Sequence, residues 1–178
     1  MKIRALSSPF VKAMAAALVA ASLSLGLGKA HASALEPMDV ETLTAKADRI
    51  LVGRVESADS HFLAPGSSYI VTDVTLVRER RLFGGPDASR FVVRRLGGEV
   101  GKRGQRVYGE ATYRVGERVM LFAVERQGVF YALGMSNGVL HVYDDEAGVA
   151  RIRTLPGRSL ADVVALVQSV AARRAETR

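Results

Sequence analysis

The sequence predicts a mainly β fold: a small antiparallel β-barrel of about seven strands, with a short N-terminal helix and a C-terminal helix packed outside. Three observations carry that expectation. Several segments alternate apolar and polar residues over strand lengths, glycine-rich turns join them, and the one strong helical stripe closes the chain.

The N-terminal segment comes first and reads as an address. Lys2, Arg4 and Lys12 precede the apolar run 13–28, which is short for a bilayer span. Ala30-His31-Ala32 fits the small-x-small rule, placing cleavage between Ala32 and Ser33. The expectation is a signal peptide over 1–32 and a single exported domain over 33–178, periplasmic or secreted. No later stretch is long and apolar enough to suggest a membrane span.

The elements follow in order. Residues 39–47 put Val40, Leu43 and Ala47 on one helical face. Ile50, Leu51, Val52 and Val55 then open a strand that ends in the loop 61–68, marked by Pro65 and Gly66. Residues 69–83 alternate, with Ile70, Val74 and Leu76 on one face and Tyr69, Asp73 and Thr75 on the other. Residues 90–96 form another strand. Val119 to Val124 are apolar on both faces, so that strand requires cover on both sides. Gly116-Glu117 is expected to form the turn before it, with Glu117 capping backbone amides. Asn137-Gly138 has the chemistry of a two-residue hairpin, and the second half is expected to be a meander of four strands. Ser159 and Asp162 make a capping-box variant ahead of a helix. Leu160, Val163, Val164, Val167, Val170 and Ala171 fall on its apolar stripe, which is suited to covering the second face of 119–124.

Composition narrows the chemistry. The chain has no cysteine, so an exported domain must be held by packing alone, and thiol nucleophiles and cysteine-based zinc sites are excluded. Four of its 25 bases and none of its 18 acids precede Ser33, leaving 21 bases against 18 acids, a net charge of +3. The excess is concentrated: nine bases between Arg78 and Arg106 face three acids, Glu79, Asp87 and Glu99. Gathered on one end of a barrel, such charge attracts polyanions.

The stretch 94–104 contains Gly97, Gly98, Gly101, Lys102 and Gly104 and invites a phosphate-loop reading. A P-loop needs G-x-x-x-x-G-K-[ST] opening a helix. Here Arg103 follows Lys102, the first glycine position is Leu96, and a strand comes next. The four glycines are therefore read as positive-φ positions in a loop between strands.

Five segments together carry a resemblance: 47–60, 69–77, 94–101, 108–122 and 134–142. Their order and spacing resemble a family of bacterial exported proteins of unknown function, with G-G-x-x-G followed by V-G-E-x-V-M-L-F. The arrangement is more distantly similar to the OB-like barrel of tissue inhibitors of metalloproteases. That likeness implies an OB-like barrel. The inhibitors act through an N-terminal cysteine and are held by disulfides, and this chain has neither, so no inhibitory mechanism carries over.

Candidate chemistry is sparse. His61 follows Asp59 and Ser60, and His141 lies near Tyr143 and Asp144, but neither G-x-S-x-G nor H-E-x-x-H occurs. Asp144, Asp145 and Glu146 cluster carboxylates of the kind calcium favours, without the EF-hand order, and are read as a solvated turn. Phe83, Phe91, Tyr108 and Tyr113 are the aromatics near the basic run, although Phe91 alternates like a core residue. No catalytic, cofactor or metal residues are assigned. The expected function is a non-catalytic exported domain that binds a protein or cell-envelope component. The alternative is binding of a polyanion (glycan, lipid headgroup or nucleic acid) through Arg80, Arg81, Arg94, Arg95, Lys102 and Arg103. A hydrolase using His61 or His141, and a protease inhibitor, rank below both.

Overall fold

The computed structural model describes residues 36–85 and 88–176. The expected signal sequence and its cleavage point at Ala32 and Ser33 lie outside the described residues. Helix α1 (Val40–Lys46) starts at Asp39, whose carboxylate accepts the Thr42 N–H at 2.7 Å, and it buries Val40 and Leu43. Nine strands follow: β1 (Arg49–Phe62), β2 (Ile70–Phe83), β3 (Arg90–Leu96), β4 (Gly98–Val100), β5 (Arg103–Gln105), β6 (Arg118–Arg126), β7 (Val129–Ala132), β8 (Val139–Asp144) and β9 (Ala150–Ile152). Helix α2 (Leu160–Glu176) closes the fold.

The fold is mainly β and barrel-like. Strands β1, β2, β3, β7 and β6 are hydrogen-bonded in that order, and β6 pairs back onto β1, closing a ring of five. The expected all-antiparallel pairing fails at one seam, where β3 and β7 run parallel at Arg94↔Tyr131. Topology requires this, because an odd number of strands in a ring cannot alternate direction all the way round. The separate β4–β5 pair is a hairpin on one end of the barrel.

Strand β6 meets both sequence expectations for 119–124. Val119, Leu121 and Ala123 point inward and pack with Leu51, Val74 and Val93 inside the ring. Met120 and Phe122 point outward and pack under α1 and α2 against Leu43, Val163 and Val167. The helical stripe of α2 is buried except at Val170, which is half-buried. Its start is a reciprocal cap: Ser159 N–H donates to Asp162 Oδ2 at 3.0 Å, and Asp162 N–H donates to Ser159 Oγ at 3.1 Å.

A two-residue hairpin reverses the chain at Gln127-Gly128, both at positive φ, between Arg126 and Val129. Asn137-Gly138 instead ends a 3₁₀ turn, Met135–Gly138, and reverses nothing. Strand β1 occupies one edge of β6 at residues 118–123, so β7 and β8 pair successive lengths of the other edge in the same direction. The second half is therefore not a simple meander. Gly138 is required by close approach, since a Cβ there would sit 2.5 Å from the Leu133 carbonyl oxygen. Asn137 turns its amide outward to donate to the Glu36 carbonyl at 2.9 Å.

Candidate binding cleft

The glycine-rich stretch builds one wall of an open cleft. Gly101 has φ 60° and leads the two-residue turn Gly101-Lys102 between Val100 and Arg103, the arrangement of a type II′ hairpin. Gly97 and Gly98 are also at positive φ, whereas Gly104, expected to be so, is not. At Gly98 a side chain is excluded twice over: φ is 141°, and a Cβ would lie 2.4 Å from both Ser60 Oγ and Thr72 Oγ1. Those hydroxyls are fixed in series. Thr72 Oγ1 donates to the Gly97 carbonyl at 2.7 Å, so Ser60 donates to Thr72 at 2.9 Å. The hairpin is thus pinned onto β1 and β2.

The cleft beside it has a volume of about 730 Å³. Gly104, Arg106 and Tyr108 line one side, and Arg95, Glu110 and Thr112 also contribute. Tyr108 is 84% exposed. The Glu110 carboxyl is raised above the ordinary range by burial, against the pull of the Leu96 and Ala111 amides and the Arg95 charge. Behind it, the Tyr113 hydroxyl is buried with no hydrogen-bond partner among the described residues, and burial pushes its ionisation well above the ordinary tyrosine range.

The six candidate anion-binding residues do not form one patch. Arg80 and Arg81 pair in register with Val52 and Leu51, toward one end of the barrel. Arg95 pairs with Thr72 at the other end, eight positions back along β2, roughly 25 Å at the rise of a strand. Lys102 and Arg103 lie on the hairpin near Arg95, with the Arg103 guanidinium 5.9 Å above the Phe62 ring. Arg94 is committed elsewhere: its Nε and Nη2 donate to both oxygens of Asp73 at 2.7 and 2.8 Å. Arg54, Arg90, Arg118 and Arg151 likewise have carboxylate partners. Among the described residues, Lys102, Arg103 and Arg106 have none, and Arg95 makes no ion pair but acts on the nearby Glu110 carboxyl through its charge.

The two histidines among the described residues are both held by neighbours. His61 lies in β1, not in the loop expected for it. Its Nδ1 meets the Phe62 carbonyl at 2.9 Å and its Nε2 meets Asp73 Oδ2 at 3.0 Å. Two acceptors demand two ring protons, so this geometry selects the imidazolium. The Phe62 carbonyl first, then Asp73, raises its pKa, while Arg94 above all holds Asp73 below the usual carboxylate range. An imidazolium is not a base, and adjacent Ser60 is turned to Thr72. His141 Nδ1 meets Glu117 Oε1 at 2.8 Å. Glu117 also takes the Arg114 N–H at 3.3 Å, the amide-capping role expected of it. In the acidic turn, Asp145 accepts the Ala147 and Val149 amides and pairs with Arg151, so its carboxylate organises its own hairpin.

Sequence reasoning missed Arg106, Glu110 and Thr112 as neighbours of Arg95. Only the aromatic-glycine pair Tyr108-Gly109, in a segment without period, hinted at an exposed platform. No protein-family model matches the chain, and no curated protein matches it in sequence.

Proposed function

We propose that this chain is an exported, non-catalytic binding module that engages a protein or cell-envelope component at the cleft of Arg95, Arg106 and Tyr108. One observation carries the reading: an open cleft of about 730 Å³ presents an exposed tyrosine and two arginines that are not held in ion pairs among the described residues. Tyrosine and arginine are the side chains that anchor protein interfaces, since each offers large area with a polar tip. The support for a non-catalytic role is that His61 and His141 each spend a ring nitrogen on a carboxylate, with no hydroxyl nucleophile bonded to either among the described residues. Export rests on the N-terminal address, and no helix among the described residues is long and apolar enough to cross a membrane.

The test fills the cleft. Thr112 is exposed on its wall, so Thr112→Trp obstructs the space without entering the core. A discrete protein retained from envelope extract at high salt by the natural chain, and lost by the variant, supports the reading. Equal retention by both refutes the cleft.

The second reading is polyanion binding, favoured by the grouping of Arg95, Lys102, Arg103 and Arg106 at one end of the barrel. It predicts retention that falls steeply as salt rises, because each neutralised phosphate or sulfate releases a counterion. Arg80 and Arg81 would contribute little, being at the far end. Replacing both with alanine should leave heparin retention unchanged, whereas Lys102→Ala with Arg103→Ala should reduce it.

A further inference from the structure

Among the described residues, strand β5 is paired on one side only. It bonds to β4 through Gly98↔Gln105, Glu99↔Gly104 and Val100↔Arg103. The two-residue turn makes Val100 and Arg103 a hydrogen-bonded pair, so the antiparallel alternation makes Glu99 and Gly104 a non-bonded one. The Gly104 N–H and C=O therefore point away from β4. Gly104 has no side chain to shield them, and both Gly104 and Arg106 line the cleft. Natural edge strands are usually blunted by long charged side chains or proline. This one is bare at its centre.

Beyond β5 the chain runs through Arg106 and then turns at Tyr108-Gly109. Between Arg106 and Thr112, the backbone bonds outside strands and helices are Glu110 N–H to the Val107 carbonyl at 3.5 Å and Ser136 N–H to the Gly109 carbonyl at 2.9 Å. Neither uses the backbone of Arg106 or Tyr108. The wall of the cleft is thus the free edge of β5 running on into Arg106, followed by a turn at Tyr108-Gly109 that stands the exposed Tyr108 side chain beside it.

The charge around that edge selects the incoming strand. Among the described residues, four cations held in no ion pair, Arg95, Lys102, Arg103 and Arg106, surround it, against two acids, Glu99 and Glu110, the latter within reach of the Arg95 charge. We propose, building on the binding-module reading, that the cleft takes an extended acidic peptide segment. That segment adds as a strand to the free edge of β5 at Gly104 and Arg106, and its carboxylates meet Arg95 and Arg106. Main-chain bonds supply the affinity in such a mode, and the alternate side chains that face the cleft supply the selectivity.

The probes are short capped peptides alternating threonine with glutamate, or threonine with lysine, titrated into the purified chain by fluorescence anisotropy. The glutamate peptide is expected to bind and the lysine peptide not. A strand uses only alternate amides toward its partner. N-methylation of the threonine amides and of the glutamate amides should therefore differ, one abolishing binding and the other sparing it. Arg95→Ala and Gly104→Pro should each weaken binding about tenfold, the loss of one hydrogen bond, charge-assisted in the first case. Gly104→Pro removes an outward N–H, and the position is open enough that its Cβ meets only Glu99 Cγ at 3.7 Å. Binding of the glutamate peptide that both N-methylated forms retain equally would overturn strand addition. So would failure of the glutamate peptide to bind, or tighter binding of heparin displaced by neither peptide. If the peptides fail while Thr112→Trp still loses its captured protein, the cleft reading stands and the strand proposal falls. If the captured protein is also unaffected, both fall.

Discussion

Leu121→Ala tests the barrel core at its most constrained point. Leu121 is fully buried inside the ring, on a strand held on one edge by Leu51 of β1 and on the other by Val139 of β8. The substitution deletes three carbons and leaves a void. With β6 fixed by ladders on both edges, the surrounding strands have little freedom to close it. Leucine-to-alanine changes in cores cost about 2 to 5 kcal/mol, the upper values where the site collapses least. A cost of about 3 to 5 kcal/mol is expected here. At about 3 °C per kcal/mol for a domain of this size, the Tm should fall by roughly 9 to 15 °C. Urea unfolding followed by far-ultraviolet circular dichroism measures the free energy directly, and the slope against urea should not change. Leu63→Ala is the control: Leu63 is 48% exposed beyond the end of β1, and its loss should stay within about 0.5 kcal/mol. A Leu121→Ala cost below about 1 kcal/mol would refute the inward placement of this side chain and the ring built around it.

Other consequences can be measured on the same material. Gly98→Ala should destabilise strongly, because the backbone conformation is unfavourable and the Cβ strikes two fixed hydroxyls; a variant with unchanged Tm would contradict the pinned hairpin. Ser159→Ala should cost about 0.5 to 2 kcal/mol by uncapping α2, and a helix signal lost at the same temperature as in the natural chain would count against that cap. The His61–Asp73 pair gives a pH dependence with two limbs. His61 has a raised pKa, so its contribution is complete below its ordinary value of 6.5 and disappears as pH climbs through the raised value. Asp73 has a lowered pKa, so its contribution is complete above its ordinary 3.8 and disappears as pH falls through the lowered value. The stability difference between the natural chain and His61→Gln should therefore be largest on the acidic side of 6.5 and shrink above it. Imidazole nitrogen resonances should titrate with a midpoint above 6.5, and a midpoint below it would contradict the two-acceptor geometry.

Much of the fold was legible because burial writes itself into periodicity. The doubly apolar run 119–124 demanded two covering layers, and the ring interior and helix α2 supply them. Ser159 and Asp162 announced their helix because a cap is local chemistry. Asn137-Gly138 misled for the opposite reason: the same dipeptide serves a positive-φ hairpin or a tight backbone approach, and only the packing of Gly138 against Leu133 decides between them. The parallel β3–β7 seam is a property of ring closure, which no local pattern encodes. The cleft was the least legible feature. Arg80 and Arg95 look like one basic cluster along the chain, but the length of β2 carries them to opposite ends. The partners of Arg95 come from the aperiodic segment 106–112. Arg94 and Arg95 are sequence neighbours with opposite fates, since strand alternation sends one to Asp73 and the other to the cleft.

Because β6 is a wall common to the interior of the ring and to the layer beneath the helices, the two layers cannot melt independently. Peeling α2 away would wet Met120 and Phe122 on the strand whose other face holds Leu121, and opening the ring would release the floor on which α2 rests. Unfolding should therefore be a single event. Amides of β6 should exchange with solvent at the same slow, globally limited rate as those in the middle of α2. Truncation before Ser159 should yield no smaller stable barrel but an aggregation-prone chain, which makes the C-terminal helix part of the fold's minimum unit.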